Sequence, residues 1–334
     1  MNTCQKKFAM LSVGLLSLLG CNAQRKPADI MQFLDVPQLS RLVSTGGLHA
    51  TSPVATAAGT FHNPAVVSDS ISGSVDLGIA PVADGIKYIS AATAHNVKGL
   101  GTFALGIQFA GYGDFVRTDE EGNELGSFGA RETAFYLTYC RRMAPCLMLG
   151  ATLKPMFSTM DNETAIGLAL DIGADISGAD GRLKAGLVFR NAGGIIKNYS
   201  GDESHSKIPF DIRTTVCYKA ENAPFRILFT LKDLTKWDLR TSSKKLNGVD
   251  NFFRHTIWGL EFTPVKSFYF GLGYDQRRRR ELRSSQTGGM AGISWGLGLK
   301  ISNIEVQYAH NRYHVAGSLN SITLSTNWRR LSGR

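Results

Sequence analysis

An all-β, transmembrane antiparallel barrel of about fourteen strands is the fold this sequence predicts, and three observations carry it. Short runs of alternating apolar and polar residues follow one another from about Ile71 to Trp328. Their connections alternate between long polar stretches and tight turns. Beyond the N-terminus no run of about 18 apolar residues exists, so no helix is available to span a bilayer. A closed barrel can cross hydrocarbon because it has no edge, whereas an open sheet would leave N–H and C=O groups unpaired there. A soluble β-sandwich also alternates along half-buried strands. It seldom carries so many strands of about ten residues with so much glycine inside them.

The N-terminal element, residues 1–23, reads as a targeting signal. Lys6 and Lys7 form a short positive region and Phe8 to Leu19 an apolar one. Gly20-Cys21-Asn22-Ala23 leaves two processing routes open: cleavage after Ala23, or a lipobox at Leu18-Leu19-Gly20-Cys21 with Cys21 lipidated. Residues 24–70 lack the strand rhythm. Phe33-Leu34-Asp35-Val36-Pro37 runs into Leu39-Ser40-Arg41, then Gly46-Gly47, small residues to Gly59 and the turn signal Asn63-Pro64. Too short for a domain, this reads as a hatch folded into the barrel, with a periplasmic tail as the alternative.

The barrel occupies residues 71–334, and a period of two assigns its faces. In the third strand Phe103, Leu105, Ile107 and Phe109 oppose Thr102, Ala104, Gly106, Gln108 and Ala110. The sixth sets Thr164, Ile166, Leu168, Leu170 and Ile172 against Ala165, Gly167, Ala169, Asp171 and Gly173. The apolar set faces lipid and the other the lumen. Glu132, Lys154, Asp171, Lys184, Arg190, Asp211, Arg213, Arg226, Lys232 and Glu305 all fall on the lumen side. Long polar loops are expected after odd strands, at about 114–128, 191–207, 234–251 and 277–285. Connections after even strands are short, as at Asn222-Ala223-Pro224, Pro264-Val265 and Ile301-Ser302-Asn303. Long loops mark the cell exterior in outer-membrane barrels, so both termini are expected in the periplasm or inside the barrel. Cys140 and Cys146 flank the connection Arg141 to Pro145 and either bridge it or are inert small apolar residues. No cysteine spacing points to zinc, and no motif calls for a cofactor.

Several stretches resemble the PorV/PorQ family of outer-membrane proteins, which is similar to the FadL-like fourteen-stranded barrels with an N-terminal hatch. Phe33 to Arg41 followed by Asn63-Pro64-Ala65 resembles the family's opening. The likeness is greatest to its PorQ branch in Tyr112-Gly113-Asp114-Phe115 with the segment through Phe128, in Phe189-Arg190-Asn191-Ala192-Gly193, in Pro209-Phe210-Asp211, and in Ala223 to Leu239. Beyond about Asn251 only the strand rhythm matches. The resemblance implies membership of the type IX secretion system, as a non-enzymatic barrel of the cell-surface attachment complex. There it would hold a PorZ-like surface protein beside a sortase and a PorV-like barrel, where cargo is joined to lipopolysaccharide.

Such a platform would work through its outer loops. Arg277, Arg278, Arg279, Arg280 and Arg283 make the sharpest charge cluster, suited to a protein contact or to lipopolysaccharide phosphates. Asp119, Glu120 and Glu124 head an acidic loop that would pair with a basic partner, unless it is simply solvated. Trp237 is an apolar spot in a polar loop, read as an interface anchor or as local packing. The net charge of +10 favours anionic neighbours, and nothing resembles a nucleic-acid module. Two other classes are weighed. A FadL-like transporter of hydrophobic compounds would use the glycine-lined lumen and the hatch. An outer-membrane hydrolase would need a nucleophile beside a histidine. His310, His314, His205 and Asp202 lie near outer connections, but no serine stands in a nucleophile context.

Overall fold

The computed structural model describes residues 30–82, 85–199, 207–239, 247–282, 290–312 and 317–331. The expected targeting signal at residues 1–23, with Cys21, and the residues Asp202, His205, Arg283 and His314 lie outside the described residues. Fourteen antiparallel strands form a closed barrel, each paired with its sequence neighbours. They are β1 (Ser74–Pro81), β2 (Lys87–Val97), β3 (Gly101–Thr118), β4 (Glu124–Ala144), β5 (Leu147–Met160), β6 (Glu163–Ser177) and β7 (Leu183–Lys197). The second half comprises β8 (Asp211–Lys219), β9 (Phe225–Leu231), β10 (Thr256–Val265), β11 (Phe268–Asp275), β12 (Ile293–Ile301), β13 (Ile304–Asn311) and β14 (Leu319–Asn327). The seam closes β1 on β14, from Ser74 opposite Asn327 to Ile79 opposite Ile322.

The alternation read from the sequence sets the faces. Phe103, Leu105 and Ile107 are exposed to the exterior while Thr102, Ala104, Gln108 and Ala110 are buried inside. The wall is uneven. β3 has 18 residues and β4 has 21, against 7 in β9 and 8 in β11. At a rise of about 3.3 Å per residue and a tilt of about 40°, β3 climbs about 45 Å and β9 under 20 Å, against an apolar band of about 25 Å.

Several expectations change. The loop expected at 191–207 begins only after Lys197, because β7 continues through Asn191 and the glycines that follow it. The long loop at 114–128 is mostly strand: after a bulge between Gly111 and Asp114, Phe115 pairs with Phe128 and Val116 with Ser127, leaving only residues 119–123 as a turn. Pro264 and Val265 belong to β10, so that turn is at Lys266-Ser267. Of the two readings left open for Cys140, the inert one holds: it is a buried free thiol, not bridged to Cys146, and its Sγ lies 3.7 Å from the Ala65 carbonyl oxygen.

Residues 30–73 fill the lumen with short 3₁₀ turns at Gln32–Asp35, Ala57–Phe61, Pro64–Val66 and Asp69–Ile71, and one helix, α1 (Ser40–Ser44). Asn63 starts the Pro64 turn by accepting from the Ala65 N–H at 2.9 Å, an Asx cap that fits the Asn-Pro signal. At the outer end the Ile30 N–H donates to the Lys207 carbonyl at 3.1 Å. From there the segment runs inward and leaves at the opposite end, where Asp69 pairs with Arg142 at 2.9 Å. Three more helices lie at the rims: α2 (Gly248–Arg254), α3 (Gln276–Glu281) and α4 (Trp328–Leu331).

Candidate functional site

Two places carry the chemistry of this chain: the filled lumen and the outer rim. Phe33-Leu34-Asp35-Val36 and Leu39-Ser40-Arg41-Leu42-Val43 each set one charge in an apolar stretch. Burial of the apolar neighbours forces those charges to find partners. Asp35 sits between two wall arginines, accepting from Arg213 Nη2 at 2.7 Å and Arg190 Nη1 at 3.2 Å. Arg190 also donates to the carbonyls of Leu34 and Phe61, and Arg213 pairs with Asp211. Arg41 reverses the polarity. It pairs with Glu261 and reaches Glu305 at 3.5 Å, while its guanidinium lies 4.1 Å above the Tyr269 ring. Arg226 holds the other oxygen of Glu261 at 2.9 Å. The hatch is thus pinned at two points of opposite sign, each gripped by wall residues of the complementary charge.

Between these clamps the wall is shaped to receive backbone. Ser40 bonds to Ser321 at 2.8 Å and Thr323 at 2.7 Å, the Ala50 N–H donates to Thr215 at 2.7 Å, and His49 meets Thr230 at 2.7 Å. A Cβ on Gly150 would lie 2.6 Å from the Pro64 carbonyl carbon, and one on Gly259 would lie 2.8 Å from the Thr45 oxygen. Lumen glycines are therefore seats for the hatch. Lys154 and Asp171 form a fully buried pair at 2.7 Å in the same shell. Every lumen ionisable residue named from the alternation does face inward, paired with the wall or the hatch. Asp35, Arg41 and Glu261 stand outside that set, and a charge inside an apolar stretch is the sequence signal that points to them.

At the rim the arginine run is a helix. Asp275 caps α3 by accepting from the Arg278 N–H at 3.2 Å, and Lys232 supports Asp275 at 2.6 Å. Arg277 pairs with Asp233 at 2.8 Å and Glu281 at 2.9 Å, and Arg278 approaches Asp275 at 3.5 Å. Arg279 donates to the Ala291 carbonyl at 3.4 Å. Arg280, the most exposed of the four, reaches Asp250 on α2 at 3.2 Å. Much of the charge expected to face a partner ties rim elements together.

Trp237 stacks on His255, with ring centres 5.0 Å apart and 13° between planes. Its carbonyl accepts from Asn251 and His255, and its ring remains half exposed. Asp119 and Glu120 occupy the turn of the β3–β4 hairpin, and Glu124 opens β4. Asp119 accepts from the Asn123 N–H at 2.7 Å and Nδ2 at 2.9 Å. Those bonds, the side-chain one foremost, hold its carboxyl below the ordinary carboxylate range. His310 bonds to Asn320 at 2.9 Å and lies beside the Trp295 ring, away from any serine nucleophile in a catalytic arrangement among the described residues.

No family model and no curated protein matches the chain. Solved barrels do. A deletion mutant of the monoaromatic hydrocarbon channel TodX matches 88% of this chain and 100% of its own, with a TM-score of 0.55 and 10% identity. The likeness is one of fold. The monoaromatic hydrocarbon channel CymD gives 0.54 at 12% identity over 88% of this chain and 98% of its own. The Pseudomonas putida toluene transporter TodX gives 0.54 at 11% identity, over 87% and 98%. The chain is an outer-membrane-type fourteen-stranded barrel.

Proposed function

We propose that this barrel is a non-enzymatic platform of the type IX secretion system attachment complex, anchoring a PorZ-like surface protein near the sortase and a PorV-like barrel. The observation that carries the reading is the lumen, occupied by a hatch held at two oppositely charged clamps. A barrel filled and latched in this way presents its working surface at the outer rim, which is tall on the β3–β7 side. The stretches resembling the PorV/PorQ family support the same reading. They supply Arg190 and Asp211 around Asp35, and the raised hairpin from Tyr112 to Phe128. Asp119, Glu120, Glu124 and Trp237 are the partner-facing candidates. Arg277, Arg278, Arg279, Arg280 and Arg283 are the candidates for a protein contact or for lipopolysaccharide phosphates.

A second reading, passage of hydrophobic compounds, is favoured by the fold likeness to channels described as carrying monoaromatic hydrocarbons. Apolar side chains at the outer mouth add to it, since Met31, Met156 and Ile195 converge over Gly167. One experiment separates the two: a mild-detergent pull-down of a tagged copy from native outer membrane, with mass spectrometry of everything retained. A sortase, a PorV-like barrel and a soluble surface protein together favour the platform. A barrel recovered alone or with a bound hydrophobic compound moves the weight to transport.

A further inference from the structure

The β3–β4 hairpin outgrows its neighbours. Pairing of β2 with β3 ends at Lys87 opposite Gly111, and pairing of β4 with β5 begins at Ala130 opposite Met160. Beyond those points Asp114–Thr118 and Glu124–Gly129 pair only with each other among the described residues. The result is a two-stranded ribbon standing above the rim with a free backbone edge on each side. On the β4 side the Gly129 carbonyl is already occupied by the Asp161 N–H at 3.2 Å, so the open stretch is Glu124–Phe128. Unpaired strand edges are templates for another chain, and natural proteins blunt them with lysine, proline or a covering element. This edge has no lysine, no proline and no cover among the described residues; its one bulge is at Leu125, where pairing slips from Arg117–Gly126 to Thr118–Glu124, so the regular edge runs from Gly126 to Phe128 and bends above it.

The ribbon is also stiff. Phe115 and Phe128 stack across it at 5.5 Å, the Asp119 carboxylate fixes the turn through Asn123, and Arg117 is tied down by Asp161. A stiff edge loses little freedom when a strand is added. Leu125 and Val116 are exposed by 63% and 58%, giving an incoming strand apolar positions to meet. Asp114, Asp119, Glu120, Glu121 and Glu124 leave the upper ribbon strongly anionic, since its one cation, Arg117, is already paired.

Resting on the platform reading, we infer that the free edge of β4 over Glu124–Phe128 is a strand-addition site, taking an extended segment of the soluble surface partner in which lysine or arginine alternates with apolar residues. Main-chain bonds along the edge would provide affinity. The acidic side chains would select the sign of the guest.

The test uses the full-length barrel in vesicles and two synthetic decapeptides, one alternating lysine with valine and the other glutamate with valine. The lysine peptide is expected to slow amide exchange at residues 124–128 at least tenfold, and to bind at least tenfold more tightly than the glutamate peptide. The triple variant Asp119→Asn, Glu120→Gln, Glu124→Gln should lose that preference while keeping its barrel heat-modifiability. Equal binding of the two peptides, or unchanged exchange at saturating lysine peptide, overturns the inference. In the native complex recovered by pull-down the same amides should be slowed. A recovered complex whose ribbon exchanges at the free rate overturns strand addition and leaves the platform reading standing. Recovery of no partner sinks the platform reading, with the peptide arm still deciding the ribbon.

Discussion

Replacing Arg41 by leucine should release the hatch. The side chain of Glu261 is only 1% exposed and would lose one of its two cationic partners, keeping Arg226 at 2.9 Å. Breaking a buried ion pair costs about 3–5 kcal/mol, and the surviving arginine puts this site at the low end, about 3 kcal/mol. Losing the stack over Tyr269 adds about 0.5–1 kcal/mol. Glu305 contributes little, because it is partly solvated and 3.5 Å away. At about 1.4 kcal/mol per factor of ten, the sum raises the population with a displaced hatch several hundredfold. Planar-bilayer recording reads this directly: the native barrel should stay nearly silent and Arg41→Leu should show frequent opening bursts, with faster tryptic cleavage in the hatch. A triple variant, Arg41→Leu with Glu261→Leu and Arg226→Leu, removes every charge that met at Glu261 and should be quieter than the single one. A silent single variant with native protease resistance would refute the clamp as what holds the hatch.

Gly150→Ala should lower the midpoint of heat-modifiability by the equivalent of about 1–3 kcal/mol, because its methyl group meets the Pro64 backbone at 2.6 Å, which cannot swing aside as a side chain could. Lys154→Met should cost about 3–5 kcal/mol by stranding Asp171, and the added change Asp171→Asn, which drops the charge while its Oδ1 can still accept from the Asn191 N–H, should recover most of it; no recovery in thermal unfolding would disprove the pairing argument. Trp237→Ala is expected to reduce partner co-purification without reducing barrel abundance, and undiminished recovery sinks its role as an anchor. The hairpin turn should depend on pH. Since the folded-state pKa of Asp119 is depressed, its contribution is complete above the ordinary carboxylate value and is lost as the pH falls through the lower folded one, which exchange of the Asn123 amide against pH would report.

Hydrophobic alternation was legible wherever lipid enforces it. The faces of the third and sixth strands, and the inward turn of residues such as Lys154 and Asp171, follow from that alternation alone. It fails above the bilayer, where no hydrocarbon sorts the two faces. Asp114 to Phe128 therefore reads as a loop although it continues β3 and β4. The sequence puts glycines on the lumen side and a hatch inside the barrel, but it does not show which of them meet. Pro64 against Gly150 and Thr45 against Gly259 supply the answer. The arginine run reads as a free patch for a similar reason. Its partners Asp233 and Asp250 are far away in the chain, and only the fold brings them to α3. Asp35 and Arg41 met their counterparts from a distance as well, so their isolation in apolar segments was the only hint.

The hatch also dictates an order of assembly. Its first helix, α1, lies against β11 to β14, the last strands to be made, while Asn63 reaches the carbonyls of Ala174 and Leu187 in β6 and β7. With contacts to both early and late strands, the segment is expected to be in place before the β1–β14 seam zips shut, acting as a mandrel around which the wall is wound. Contacts spanning nearly the whole chain impose a slow search and put the commitment step at closure. A chain missing its final strands would then lose the surface that receives α1 along with part of its wall, and such a fragment should be recognised as unfinished by whatever machinery inserts it.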